Sequence, residues 1–134
     1  MRSRLPPQPV IQISTDYVFD GSKPEPWTEA DTPAPVSVYG ASKLAGERAV
    51  LDASPRNLII RGRLGLQPVR RQLYERDVLR VVADQVGSPS SALDIADGVF
   101  TVARNVLTQP DRDDLRGVFD MGAGGEARCA EFAG

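Results

Sequence analysis

The sequence predicts an α/β fold with a largely parallel sheet. Short β-branched runs have the character of buried strands, two longer segments have the composition or the spacing of helices, and strands and helices follow one another along the chain. The length of 134 residues is enough for one domain with its own core and too short for two. We therefore expect one domain or part of one.

The first half of the chain predicts a strand, a loop and a helix. The strand spans residues 10–13, an apolar run that follows a group of prolines. Residues 19–38 contain four prolines, which exclude a helix or a central strand and predict a long loop. A helix is then predicted over residues 39–51, which are rich in Ala, Leu, Glu and Arg, with Ser37 as its N-cap.

Three further strands are predicted, over residues 57–61, 78–82 and 118–121. Between the last two strands, apolar residues recur at helical spacing from residue 92 to residue 107. Ser91 and Asp94 form a capping-box pattern at the start of this helix, and Pro110 marks its end. The glycines that follow the last strand predict a flexible tail.

Composition excludes several classes of function. The chain is 41% hydrophobic and 25% charged with a formal net charge of −2, so no nucleic acid is expected as a partner. The absence of histidine excludes Ser-His-Asp triads and histidine-ligated metals. The single cysteine, Cys129, excludes an internal disulfide and indicates a reducing compartment, so we expect the cytoplasm. No run of about 18 apolar residues is present, and no membrane association is expected.

Polar side chains cluster where the first predicted strand ends. Ser14, Thr15, Asp16 and Tyr17 follow directly on the apolar run. In α/β sheets, ligands are bound at the carboxyl ends of the strands. These four residues are therefore candidates for contact with a ligand.

Tyr39 and Lys43 are spaced i, i+4, which places them on one face of the predicted helix about one turn apart. An ammonium group beside a phenol favours the phenolate form, and such a tyrosine can protonate an alkoxide as a hydride reaches the carbonyl carbon. The same spacing also occurs in ordinary surface pairs, so the pair alone leaves both interpretations open.

Three segments carry a family resemblance: residues 13–21 read ISTDYVFDG, residues 39–47 read YGASKLAGE, and residues 81–89 read VVADQVGSP. They resemble the extended short-chain dehydrogenase/reductases and, within these, the dTDP-4-dehydrorhamnose reductase family. With weaker matches in other segments, the resemblance covers most of the chain. The first two segments are specific enough to separate this family from other extended reductases.

The resemblance implies a nucleotide-sugar keto reductase that converts dTDP-4-dehydro-L-rhamnose to dTDP-L-rhamnose with NADPH or NADH. It assigns Tyr39 as the proton donor, Lys43 as the residue that holds the nicotinamide ribose, and Thr15 as a hydrogen-bond partner of the keto oxygen. Ser14 is expected to join Tyr39 and Lys43 in binding the cofactor.

Three further residues are implied to bind the substrate. Asp16 and Tyr17 would line the sugar pocket, and Gln85 would lie near the nucleotide. Each also has an ordinary structural explanation, since Asp16 can cap a turn, Tyr17 can pack under the loop, and Gln85 can be a plain loop residue.

The resemblance also implies the C-terminal part of a Rossmann-like parallel sheet plus a small substrate-binding portion, with the N-terminal half missing. The family begins with a glycine-rich turn that binds the cofactor diphosphate, whereas this chain has no glycine before Gly21. We expect residues 1–61 to form the catalytic half of the nucleotide-binding fold, and residues 62–134 to form the substrate-binding portion with the last helices. Binding of NADPH by the isolated chain is expected to be weak.

The resemblance implies a homodimer, in some members with Mg²⁺ at the subunit contact, or a complementing N-terminal half as the protein partner. Three alternatives stay open beside the reductase. They are a non-catalytic binding module similar to the regulatory subunit of methionine adenosyltransferase, a remnant without activity, and a related nucleotide-sugar epimerase or dehydratase. Binding to a partner enzyme that survives Tyr39→Phe would favour the binding module.

Overall fold

The computed structural model describes residues 8–62, 86–87, 92–122 and 127–128. Its strands are β1 (Ile11–Thr15), β2 (Leu58–Gly62), β3 (Val86–Gly87), β4 (Gly117–Met121) and β5 (Ala127–Arg128). The main sheet has the order β1-β2-β4, and its strands are parallel. β3 and β5 form a separate antiparallel pair. The parallel sheet confirms the predicted α/β class.

Three of the predicted strands are confirmed, with bounds that differ by one or two residues from those of β1, β2 and β4. The strand predicted over residues 78–82 lies outside the described residues. β4 follows residue 62 and still belongs to the same sheet as β1, so the sheet includes both predicted portions of the chain. The division into residues 1–61 and 62–134 stays a prediction.

Both predicted helices are present in the described residues. Helix α1 (Val38–Ala53) begins after Ser37, whose hydroxyl accepts a hydrogen bond from the Gly40 N–H at 3.0 Å, so the predicted N-cap is confirmed. Helix α2 (Ala92–Thr108) ends two residues before Pro110. Ser91, the predicted cap of α2, lies outside the described residues.

The sheet lies between the two helices. Alternate side chains of a strand point to opposite faces of the sheet. On one face, Leu58 and Ile60 pack with Val106 of α2, and each fully buried aliphatic side chain contributes about 1.5–3 kcal/mol. Partly buried apolar residues complete this core: Ile11, Ile13, Val99, Val102, Leu115, Phe119 and Met121. On the other face, Glu47 of α1 contacts Ser14 and Arg61, so α1 and α2 cover opposite faces.

The proline loop, residues 19–37, is docked onto these elements and contains neither helix nor strand, as predicted. The rings of Phe19 and Trp27 stack with centroids 4.5 Å apart and planes inclined by 4°. Both rings pack in a cluster with Leu44 of α1. Farther along the loop, the Glu29 carboxylate accepts a hydrogen bond from the Asp120 N–H of β4 at 2.9 Å. The loop therefore contacts both α1 and the far edge of the sheet.

The contact between the loop and β4 brings two carboxyl groups close together. Burial raises the pKa of Asp120 to about 6, and the negative charge of Glu29 adds to the rise, while the positive charge of Arg61 opposes it. The pKa of Glu29 is lowered, chiefly because the backbone N–H of Asp120 donates to its carboxylate. Ionisation of Asp120 therefore acts against the contact that docks the loop.

Gly40 allows the first turn of α1 to approach the backbone that follows β1. A Cβ atom at this position would lie 2.1 Å from the carbonyl oxygen of Tyr17 and 3.0 Å from Cβ of Pro35. We expect Gly40→Ala to lower the free energy of unfolding by about 1–3 kcal/mol, because the backbone must move. Urea unfolding of the purified chain measures this change.

Gly46→Ala in the same helix is the matched control. Its Cβ atom would meet only the flexible amide of Gln12, at 3.1 Å. Because alanine favours a helix over glycine by about 1 kcal/mol, this variant should be as stable as the wild type or more stable. Equal stability of Gly40→Ala and the wild type would contradict the close approach at Gly40.

Asp120→Asn should become more stable, relative to the wild type, as the pH rises. The folded-state pKa of Asp120 is raised above its ordinary value, so the wild type loses stability between pH 4 and about pH 6, where the folded state binds more protons. We expect the two proteins to be similar near pH 4, and the variant to be more stable at pH 7 by roughly 1 kcal/mol once solvent screening is allowed for.

Denaturant unfolding at pH 4.5 and pH 7 measures this difference, and Asp97→Asn on the exposed side of α2 is the control. Glu29 contributes in the opposite direction, because its lowered pKa stabilises the folded state at pH values above the pKa of the unfolded state. Comparing each variant with the wild type at the same pH removes this contribution. An Asp120→Asn variant with the same advantage at both pH values would contradict the raised pKa.

Candidate functional site

The carboxyl end of β1 meets the first turn of α1, and this junction is the candidate active site. Thr15, the last residue of β1, is 6% exposed. Its hydroxyl accepts a hydrogen bond from the Tyr17 N–H at 3.2 Å and donates to the Asp16 carboxylate at 3.3 Å. The first of these bonds caps the short 3₁₀ turn at Asp16–Val18. Thr15 is thus held by its local backbone at the edge where a parallel sheet binds ligands.

Lys43 lies on α1 and reaches the same end of the strand. Its side chain is half-buried, and its Nζ donates a hydrogen bond to the backbone carbonyl of Ile13 at 2.7 Å. Ile13 precedes Thr15 by two residues. The contact therefore places the ammonium group beside the strand that ends in Thr15.

Tyr39 stands one turn before Lys43, and its ring contacts the segment that follows β1. The ring centroids of Tyr39 and Tyr17 are 6.1 Å apart, with the planes inclined by 73° in an edge-to-face arrangement. Tyr39 is 56% exposed and Tyr17 is 50% exposed, so both rings are open to a ligand. Because Lys43 contacts the chain before Thr15 and Tyr39 contacts the chain after it, the structure brings Thr15, Tyr39 and Lys43 to one end of β1.

The other predicted site residues differ in their surroundings. Asp16 is half-buried beside Thr15, and its carboxylate accepts a hydrogen bond from the Thr15 hydroxyl. Ser14 is buried, and its hydroxyl donates to Glu47 at 2.5 Å, away from the Tyr39 ring pair. Its expected contact with a cofactor stays a prediction. Gln85 lies outside the described residues, and its expected role also stays a prediction.

A buried ion pair beneath the site was not predicted from the sequence. Glu47 is 1% exposed and Arg61 is 5% exposed. The Arg61 Nε lies 3.0 Å and 3.2 Å from the two carboxylate oxygens of Glu47, and its Nη2 lies 2.7 Å from Oε2. Glu47 follows Lys43 by four residues, which puts it on the same face of α1, and that spacing was the signal that could have found it.

Charged groups also line the carboxyl edge of the sheet. Ser14, Arg61 and Asp120 are register neighbours across β1, β2 and β4. Burial and the charge of Glu29 are the main causes of the raised pKa of Asp120. The negative charges of Glu47 and Asp16, which lie at this edge, raise that pKa a little further. The edge therefore combines one buried cation with several carboxyl groups.

The residues at the end of β1 fit the nicotinamide ribose of the expected cofactor. An ammonium, a phenol and a hydroxyl group stand at the carboxyl edge of a parallel sheet, which is where such cofactors are bound. Within the described ranges, no group of three His, Cys, Asp or Glu side chains is placed to hold a metal ion.

Comparison with known proteins gives a consistent assignment. Residues 6–134 match the family described as the RmlD substrate binding domain. The dTDP-4-dehydrorhamnose reductase of Sinorhizobium fredii is 49% identical over an alignment of 133 residues, and the match covers 93% of this chain and 45% of that protein. This chain thus spans less than half the length of the curated relative.

Two crystal structures of dTDP-4-dehydrorhamnose reductases are similar to the fold described above. The structure from Clostridium acetobutylicum has a TM-score of 0.73 and 38% identity, covering 93% of this chain and 44% of that one. The structure from Bacillus anthracis, solved in complex with NADP, has a TM-score of 0.76 and 34% identity, with the same coverage. The expected Rossmann-like sheet and the expected family are confirmed, and this chain belongs to the dTDP-4-dehydrorhamnose reductase family through its RmlD substrate binding domain.

Proposed function

We propose that this chain supplies the proton-transfer residues of an enzyme that reduces dTDP-4-dehydro-L-rhamnose to dTDP-L-rhamnose with NADPH. The observation that supports this most is the position of Thr15 between the contact of Lys43 with Ile13 and the contact of Tyr39 with Tyr17. A hydroxyl, a phenol and an ammonium group are therefore brought together at the end of one strand. They match the proton donor, the cation and the hydroxyl that a keto reduction requires.

The residues have distinct roles in the proposed reaction. The Thr15 hydroxyl, which donates its proton to the Asp16 carboxylate in the structure, turns to donate a hydrogen bond to the keto oxygen when the substrate binds, and so favours negative charge on that oxygen. The Tyr39 hydroxyl gives its proton to this oxygen as the alcohol forms. The Lys43 ammonium stabilises the phenolate that is left on Tyr39. NADPH, when bound, supplies the hydride that reaches C4 of the sugar.

We assign the exposed rings of Tyr17 and Tyr39 to the wall of the sugar pocket, together with Asp16. The rings of Tyr17 and Tyr39 meet in an edge-to-face arrangement next to the proposed reacting groups, which supports this assignment. Gln85 is proposed to contact the nucleotide, and Ser14 to support the cofactor, on the resemblance alone.

We assign only part of the cofactor site to this chain. The chain spans 45% of the Sinorhizobium fredii relative, and it has no glycine before Gly21. We therefore propose that the diphosphate of NADPH is bound outside these 134 residues, by a complementing half that carries a glycine-rich turn. A homodimer and a Mg²⁺ ion at a subunit contact stay predictions.

We propose the cytoplasm as the compartment, because a single cysteine in 134 residues is typical of a reducing environment. Neither helix in the described part of the chain has the length and apolar character needed to cross a membrane.

Tyr39→Phe removes the proposed proton donor and keeps the ring. The test uses an enzyme made by joining this chain to the part of the Sinorhizobium fredii reductase that it does not cover. We expect the change to lower kcat by about 10²–10⁴-fold, which is the usual contribution of a positioned proton donor. NADPH oxidation in the presence of dTDP-4-dehydro-L-rhamnose measures turnover, and calorimetry should find NADPH binding nearly unchanged.

Tyr17→Phe is the matched control, because it removes the same hydroxyl from the neighbouring ring. We expect it to raise KM for the nucleotide sugar and to change kcat little, since Tyr17 is assigned to binding. Wild-type turnover by Tyr39→Phe would exclude Tyr39 as the proton donor.

A further inference from the structure

We infer that Glu47 and Arg61 are positioning residues for the reaction, because they hold the face of α1 that carries Tyr39 and Lys43 against the end of β1. The inference rests on the proposed function, which assigns the reacting groups. Neither residue is exposed enough to touch a substrate, so any effect on the reaction must act through the groups beside them.

The pair sits directly behind the reacting residues. Tyr39, Lys43 and Glu47 are spaced by four residues, so they follow one another along a single face of α1. Glu47 is bound by the guanidinium of Arg61 through three N···O contacts of 2.7–3.2 Å. An arginine bound to a carboxylate through two nitrogens fixes orientation as well as distance. The pair therefore limits both rotation of α1 about its axis and sliding of α1 along the sheet.

Ser14 extends this restraint to the strand that carries Thr15. Its hydroxyl donates to Oε1 of Glu47 at 2.5 Å, and Ser14 immediately precedes Thr15 in β1. One carboxylate thus links α1, β1 and β2. Glu47 follows Lys43 by four residues and Ser14 directly precedes Thr15, so the links in α1 and β1 are both close to a proposed reacting group.

Arg61 also contacts the proline loop. Its guanidinium carbon lies 5.1 Å from the centroid of the Phe19 ring, within the range of a cation–π contact. Phe19 in turn stacks on Trp27 of the proline loop. The same guanidinium therefore contacts the helix that carries the proposed proton donor and the first residue of the proline loop.

Two variants change the pair and keep its volume. Glu47→Gln removes the negative charge, and Arg61→Lys keeps the positive charge but loses the planar group that makes two parallel contacts. The control is Val106→Ala, which removes buried volume from the core on the opposite face of the sheet. It is expected to lower stability without moving α1.

The first measurement is the nuclear Overhauser effect between the rings of Tyr17 and Tyr39 in the 134-residue chain, which reports the position of α1 without any assay of activity. We expect the signal to be lost or strongly reduced in Glu47→Gln and in Arg61→Lys, because it weakens steeply as the two rings move apart, and to stay at the wild-type level in Val106→Ala. Ser14→Ala, the mildest change, should give a smaller loss, and it decides the question if either charged-residue variant does not fold.

The second measurement is turnover in the joined enzyme described above. A displacement of about 1 Å at a reacting group costs on the order of 100-fold in rate, so we expect kcat to fall by about that factor while KM stays within about twofold. Folded Glu47→Gln and Arg61→Lys variants with wild-type ring contacts and wild-type kcat would overturn the inference. If Tyr39→Phe retains turnover, the proposed function fails, whereas the ring-contact measurement still decides whether the pair positions α1.

Discussion

A carboxylate and a guanidinium, both almost fully buried, determine how α1 lies on the sheet. Moving two charges out of water costs several kcal/mol for each ion, and this cost is offset only where the geometry satisfies both groups. Glu47 and Arg61 meet that condition, with three mutual contacts and a further donor from Ser14. A rotated helix would leave a charge unpaired, so the alternative arrangements of α1 are strongly disfavoured.

The elements of the fold could be predicted because their signals are local. The apolar periodicity of α2, the β-branched runs of β1, β2 and β4, and the cap at Ser37 each depend on a few neighbouring residues. Which helix covers which face of the sheet could not be predicted in this way. That choice depends on which face of the sheet each side chain of β2 occupies, and a shift of the strand register by one residue would reverse it.

The candidate site could be predicted only where its signals are local in the sequence. Tyr39 and Lys43 are one helical turn apart, so their spacing alone placed them together. By contrast, Glu47 and Arg61 are separated by 14 positions, and Glu29 and Asp120 by 91. Their meeting depends on strand register and on the path of the proline loop. Inspection of single motifs therefore found the proposed reacting groups and missed the residues that hold them in place.

The proline loop runs without interruption into α1, since Ser37 ends the loop and caps the helix. Its earlier part is anchored to Leu44 by the stacked rings and to β4 by Glu29. The proline loop and the helix that carries Tyr39 and Lys43 are consequently one continuous segment with shared anchors. A substitution that moves the anchored loop would shift the starting point of the helix as well, so under the proposed function changes in the loop and changes in turnover should be inherited together and not as separate traits.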